Sequence, residues 1–163
     1  IGLVGFPNAG KSTLISKISN AKPRIADYPF TTLVPNLGIV KYKEYQSFVV
    51  ADIPGLIEGA SKGKGLGITF LKHIERTKVL VYMIDVSSND ITNEFQILRN
   101  ELKKYNSELV KKPSLLLITK MDTYTGKIKA LKIPQNIDNI KISSVSNKNI
   151  DKTINTMYNQ LNS

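Results

Sequence analysis

The 163-residue sequence contains no cysteine and only one histidine, His73. Without cysteine there is no disulfide framework. Long hydrophobic runs are also missing. The stretch from Val79 to Ile84 is far short of the roughly 20 apolar residues a membrane-crossing helix needs, and no secretory signal is visible. These absences suit a cytoplasmic protein. Acidic residues are scarce: 13 against 23 basic ones, for a formal net charge of +10. Such an excess can mark a nucleic-acid or ribosomal partner. Arginine, the residue suited to bidentate phosphate and base contacts, occurs only 3 times, however. The 20 lysines are scattered among 20 isoleucines and 14 asparagines, so the charge reads as compositional drift. A hydrophobic content of 41% and a mean hydropathy of −0.14 fit a globular domain long enough to bury a core. The chain starts at Ile1, inside an apolar run expected to be a core strand. The expectation is therefore one domain over residues 1–163, excised from a longer protein.

Short β-rich runs recur at Ile1 to Val4, Leu37 to Tyr42, Phe48 to Ala51, Val79 to Ile84, Leu115 to Ile118 and Ile140 to Ile142. Helical patterns fall between most of them. Ile91, Phe95, Leu98, Leu102, Tyr105 and Leu109 recur at alternating steps of four and three, one stripe of an amphipathic helix. Glu94, Glu101, Lys103 and Lys104 are expected on its outer face. A closing helix carries Ile150, Ile154, Met157 and Leu161 on one side. His73, beside Phe70 and Ile74 in an expected helix, suits packing or surface exposure rather than catalysis. Alternating strands and helices imply an α/β fold with a mostly parallel six-stranded sheet covered on both faces. Only Lys43 to Ser47 separates two of the strands, so that pair is expected to be a hairpin with one antiparallel member.

The loop after the first strand reads Gly5-Phe6-Pro7-Asn8-Ala9-Gly10-Lys11-Ser12-Thr13. It matches G-x-x-x-x-G-K-[ST] in the strand–loop–helix context the motif needs. The glycines let successive N–H groups cradle a β-phosphate, and the helix beginning near Lys11 adds its positive dipole end. Lys11 would bridge the outer phosphates and the Ser12 hydroxyl would ligate Mg²⁺. Forty residues on, Asp52-Ile53-Pro54-Gly55 ends another strand. There a carboxylate can hold Mg²⁺ through water, and the Gly55 N–H can reach a γ-phosphate. Thr119-Lys120-Met121-Asp122 follows a later strand. The Asp122 carboxylate can accept from the N1–H and exocyclic amine of guanine, while the Lys120 stem covers base or ribose. Ser143-Ser144-Val145 ends the next strand, where backbone N–H groups could meet guanine O6. In such sheets ligands bind beyond the carboxyl ends of the strands, which puts all four motifs at one site.

With these motifs the sequence closely resembles the GTPase domain of the Obg family. The likeness runs from the P-loop through Asp27 to Gly38, Ala51 to Ala60, Gly63 to Gly67 and Phe70 to Thr77. After about Asp85 only the base motifs match. The resemblance implies a Ras-like fold, slow Mg²⁺-dependent GTP hydrolysis and a partner in the large ribosomal subunit or its RNA. It makes Asp27 to Gly38 a first switch. Phe30, Thr31 and Thr32 lie within it at the nucleotide, with Thr32 as a Mg²⁺ ligand that senses the γ-phosphate. Asp52 to about Gly67, through Pro54 and Gly55, becomes a second switch. Lys11, Thr32, Gly55 and Asn8 are the residues expected to serve hydrolysis. Leu56 stands where Ras-like proteins keep the glutamine that orients water, so intrinsic turnover should be slow. Asn8 has two readings, shaping the loop or holding a potassium ion. Thr119 replaces the commoner asparagine, so a hydrogen bond tying that loop to the P-loop is expected to be weaker. A guanine-nucleotide sensor that binds GDP or ppGpp and scarcely hydrolyses GTP is the alternative.

Overall fold

The computed structural model describes residues 1–20, 24–25, 35–53 and 66–163, with backbone alone for 24–25 and 66–69. The strands are β1 (Gly2–Val4), β2 (Arg24–Ile25), β3 (Asn36–Lys43), β4 (Gln46–Asp52), β5 (Leu80–Asp85), β6 (Ser114–Thr119) and β7 (Asp138–Lys141). The helices are α1 (Lys11–Ile18), α2 (Leu66–Glu75), α3 (Ile91–Tyr105) and α4 (Ile150–Leu161). The sheet order is β2-β3-β4-β1-β5-β6-β7. β4, β1, β5, β6 and β7 are mutually parallel, and β3 runs antiparallel to β4. This is the expected six-stranded sheet, extended at its edge by the two-residue β2.

The central strands are buried on both faces, and their alternation divides the core. In β5, Leu80, Tyr82 and Ile84 join Phe70, Ile74, Phe95 and Leu98 of α2 and α3. Val81 and Met83 face the other way, onto Leu14, Ile15 and Ile18 of α1 and Met157 of α4. The continuous apolar run of β5 thus reflects burial on two sides rather than a one-sided amphipathic strand. His73 is buried on α2; burial first, then the charge of Arg76, holds its pKa below the ordinary value. Among the described residues no helix is long and apolar enough to cross a membrane.

Three local expectations need correction. The stripe through Leu109 is not one helix: α3 ends at Tyr105, and Leu109 lies buried in a separate 3-10 turn. Asn106 makes the break, its side chain accepting from the Glu108 N–H at 3.0 Å, a local bond that competes with helix continuation. Glu101 is buried rather than outward, and it receives a 3.4 Å bond from Lys104. The hairpin between β3 and β4 turns through two residues, Glu44 and Tyr45, not five. Tyr45 has φ 63°, in the left-handed region, and its side chain stands in solvent.

Candidate functional site

The parallel strands deliver their following loops to one edge of the sheet. The loop after β1 is shaped by two close constraints. A Cβ at Gly5 would lie 2.7 Å from the Met83 carbonyl, so only glycine lets the loop pass β5. Gly10, the N-cap of α1, has φ 95°, and Asn8 has φ 67°. No side chain caps α1, which leaves its first N–H groups facing the loop's concavity. Lys11 Nζ donates to the carbonyls of Gly5 at 2.8 Å and Phe6 at 3.0 Å, closing the loop over itself. Burial lowers its pKa, with the Asp52 carboxylate pulling the other way. The Ser12 hydroxyl donates to Asp52 Oδ2 at 2.9 Å. Asn8, Gly10, Lys11, Ser12, Thr13, Asp52 and Lys120 line a cavity of about 280 Å³.

The loop after β6 is locked more elaborately. Thr119, buried, donates from Oγ1 to the Ala9 carbonyl at 2.8 Å, with the Ile84 carbonyl 3.3 Å away. The tie from this loop to the P-loop is therefore made by threonine at an ordinary hydrogen-bond distance, and the geometry shows no sign of the weakening expected from its identity. The β-branched side chain is restricted at χ1, and on this strand its hydroxyl reaches the Ala9 carbonyl directly. Lys120 adopts φ 61°, ψ 35° and leads into a 3-10 turn over Met121–Thr123. Its Nζ pairs with Asp85 Oδ2 at 2.7 Å. Asp122 accepts from the buried Ser143 hydroxyl at 2.6 Å, and Ser143 Oγ in turn accepts from the Ser146 N–H at 3.0 Å. Gly10, Thr13, Thr119, Lys120, Asp122, Thr123, Ser144 and Val145 line a second cavity of about 190 Å³. It shares Gly10, Thr13 and Lys120 with the first. The two are ends of one cleft.

Of the residues expected at the site, Gly5 to Thr13, Asp52, Thr119, Lys120, Asp122 and Ser143 to Val145 are brought to this edge. Within that loop, Phe6 turns partly inward to the core while Pro7 is exposed. Phe30, Thr31, Thr32, Pro54, Gly55 and Leu56 lie outside the described residues, as do most of both expected switches. Of the switch ends, Asn36 to Gly38 belong to β3 and Gly67 to α2. Two features escaped the sequence reading. Asp85, the partner of Lys120, carried no motif of its own. Ser143 was expected to offer backbone, whereas its hydroxyl holds Asp122. A larger concavity of about 310 Å³, lined by Ile1, Leu37, Phe48 and His73 among others, carries none of the P-loop or base-motif residues.

A strand–loop–helix phosphate cradle, a carboxylate on the adjacent strand and an acidic loop two strands away define a P-loop nucleotide-binding domain of the G-domain type. Solved structures agree on the fold. The G domain of the Thermotoga maritima FeoB iron transporter superposes with a TM-score of 0.73 at 20% identity, covering 98% of this chain and 96% of that one. Aquifex aeolicus Era bound to GDP and AlF4⁻ gives 0.67 at 22%, covering 98% and 55%. A profile for 50S ribosome-binding GTPases matches residues 1–120. The chain belongs to that family. Among relatives it is similar to GTPase Obg of Chlorobium phaeobacteroides, 55% identical over 163 residues, covering 100% of this chain and 50% of the relative. It is likewise similar to GTPase Obg of Bacteroides fragilis, 54% identical over 165 residues, covering 99% and 43%. The chain spans about half the length of the curated relatives it matches.

Proposed function

We propose that residues 1–163 form one G domain that binds GTP with Mg²⁺ and hydrolyses it slowly, acting as an Obg-type switch in the cytoplasm. The observation that carries this reading is the single cleft with Lys11, Ser12 and Asp52 at one end and Lys120 and Asp122 at the other. Lys11 would exchange its two carbonyl acceptors for phosphate oxygens. Ser143 fixes one oxygen of Asp122, and the remaining lone pairs can accept from guanine N1–H and the exocyclic amine. Adenine offers no such donor pair.

The donor set fits Mg²⁺. The ion takes hard oxygen ligands and keeps several waters, so it needs no dedicated protein cage. The Ser12 proton is donated to Asp52, which leaves the hydroxyl lone pairs free for a cation. Ser12 and Thr32 would hold Mg²⁺ directly and Asp52 through water. When bound, the ion neutralises charge on the β- and γ-phosphates. Asn8, exposed at the phosphate end of the cleft, would contribute to a potassium site if it does more than shape the loop. Equal turnover in sodium and potassium chloride would dispose of that role.

Ribosomal association, and ribosomal RNA as a contact, are proposed for the whole protein on the strength of the family description. The second reading is a guanine-nucleotide sensor, taking GDP or ppGpp, that barely hydrolyses GTP; Leu56 in place of a water-orienting side chain favours it. A nucleotide affinity series (GTP, GDP, ppGpp, ATP) with and without Mg²⁺ tests base, phosphate and metal together. ATP binding as tightly as GTP would overturn guanine recognition. Single-turnover phosphate release separates the switch from the sensor.

A further inference from the structure

We propose that Asp85 is a positioning residue for nucleotide binding, resting on the guanine-nucleotide reading above. Its ion pair with Lys120 holds the lysine stem as the wall shared by the phosphate and base ends of the cleft. The parallel register of β5 and β6 ends on the pair Asp85 and Thr119, so the carboxylate emerges beside the residue that begins the base loop. Both Asp85 oxygens are engaged: Oδ2 with Lys120 Nζ at 2.7 Å and Oδ1 with the Ser87 N–H at 2.8 Å. That fixes the carboxylate's rotation. The Lys120 backbone is fixed as well. Its carbonyl accepts from the Thr123 N–H at 3.0 Å and the Thr123 hydroxyl at 2.8 Å, and the next N–H reaches the Ile142 carbonyl at 3.1 Å. The lysine is thus held at both ends, with only its stem spanning the cleft.

The pair does more than tidy a surface lysine. Lys120 lines the same cavity as Lys11 and Ser12. A flexible ammonium left without Asp85 would be drawn toward bound phosphates and would leave the base face. Asp85 keeps the charge on the sheet side, so the methylenes present an apolar surface to the nucleotide. Partly exposed ion pairs add little to folding stability. The effect belongs in binding.

The test titrates GDP and GTP into the protein and into its Asp85→Asn, Asp85→Glu, Lys120→Met and Asp85→Asn/Lys120→Met variants, alongside thermal unfolding without nucleotide. Asp85→Asn is expected to weaken GDP and GTP alike by about fivefold, chiefly through faster dissociation. Asp85→Glu should recover most of the loss. In the Lys120→Met background Asp85→Asn should cost less than about twofold, and the nucleotide-free Tm should barely move. Wild-type affinity in Asp85→Asn, or an undiminished loss in the Lys120→Met background, overturns the role. Failure of the unmodified protein to bind GDP would bring down the nucleotide reading and this inference with it, a result distinct from normal binding by every variant.

Discussion

The two ends of the cleft are prepared differently for a ligand. At the base end each key side chain already has a structural partner apart from the nucleotide: Thr119 on Ala9, Lys120 on Asp85, Ser143 on Asp122. These bonds leave the base-reading groups pointed and unspent. At the phosphate end Lys11 and Ser12 spend their donors on neighbours of the same site, the Gly5 and Phe6 carbonyls and Asp52. A ligand arriving there must exchange bonds; a ligand arriving at the base end only adds them. Preorganisation lowers the cost of binding, so guanine identity should be read by a fixed template and phosphate state by a rearrangement. That division suits a protein whose base contact is constant and whose phosphate content changes.

Several substitutions can break this contrast. Lys11→Ala should have the largest effect, costing GTP and GDP affinity by about 100-fold or more through a lost charge-assisted phosphate contact. Fluorescent-nucleotide titration checks it, and retention of binding would show that the cradle N–H groups suffice. Next, Asp122→Asn should weaken GTP by on the order of 100-fold, as two hydrogen bonds to a charged acceptor are disrupted, and shift preference toward xanthine nucleotides in competition. Unchanged GTP affinity would remove that contact. Thr119→Val keeps shape but leaves the Ala9 carbonyl without its donor. It should cost about 1–3 kcal/mol of stability in denaturant unfolding and loosen GTP and GDP equally; Thr119→Asn should restore the tie. A loss confined to one nucleotide would mean the base template is not independent of phosphate state.

The smallest effect concerns acid. Burial alone would raise the Asp85 pKa, but the hydrogen bonds from Lys120 and Ser87 and the Lys120 charge outweigh it and leave it below the ordinary 3.8. A depressed carboxylate stabilises the fold above its unfolded pKa, and that contribution fades as pH falls through the lowered folded value. Because the pair is partly exposed, the contribution is at most about 1 kcal/mol. Asp85→Asn should therefore flatten acid unfolding below pH 4 slightly, without altering stability's pH dependence near neutrality.

Much of this was legible in the sequence where chemistry sits in contiguous residues. The P-loop, Asp52 and the Thr119 to Asp122 stretch carry their own spacing, and the apolar runs between them fix the strands. Asp85 was illegible because its meaning depends on the β5–β6 register, which sets it beside Thr119 and so within reach of Lys120, 35 positions away. Leu109 misled for a related reason. Helical periodicity continues through Asn106, and nothing in the period reveals that its side chain will accept from the Glu108 N–H. Thr119 misled through habit of identity: what matters is the reach from a buried strand to the Ala9 carbonyl, and threonine has it.

The order of the strands also makes the sheet a gauge. The phosphate cradle follows β1, Asp85 ends β5, the Asp122 loop follows β6, and Ser143 follows β7, each the neighbour of the last. With strands about 4.8 Å apart, the two steps from β1 to β6 span about 10 Å. Backbone hydrogen bonds set that length, not the loops, so loop sequences can drift while the distance from cradle to base reader is kept. The fold carries its own calibration.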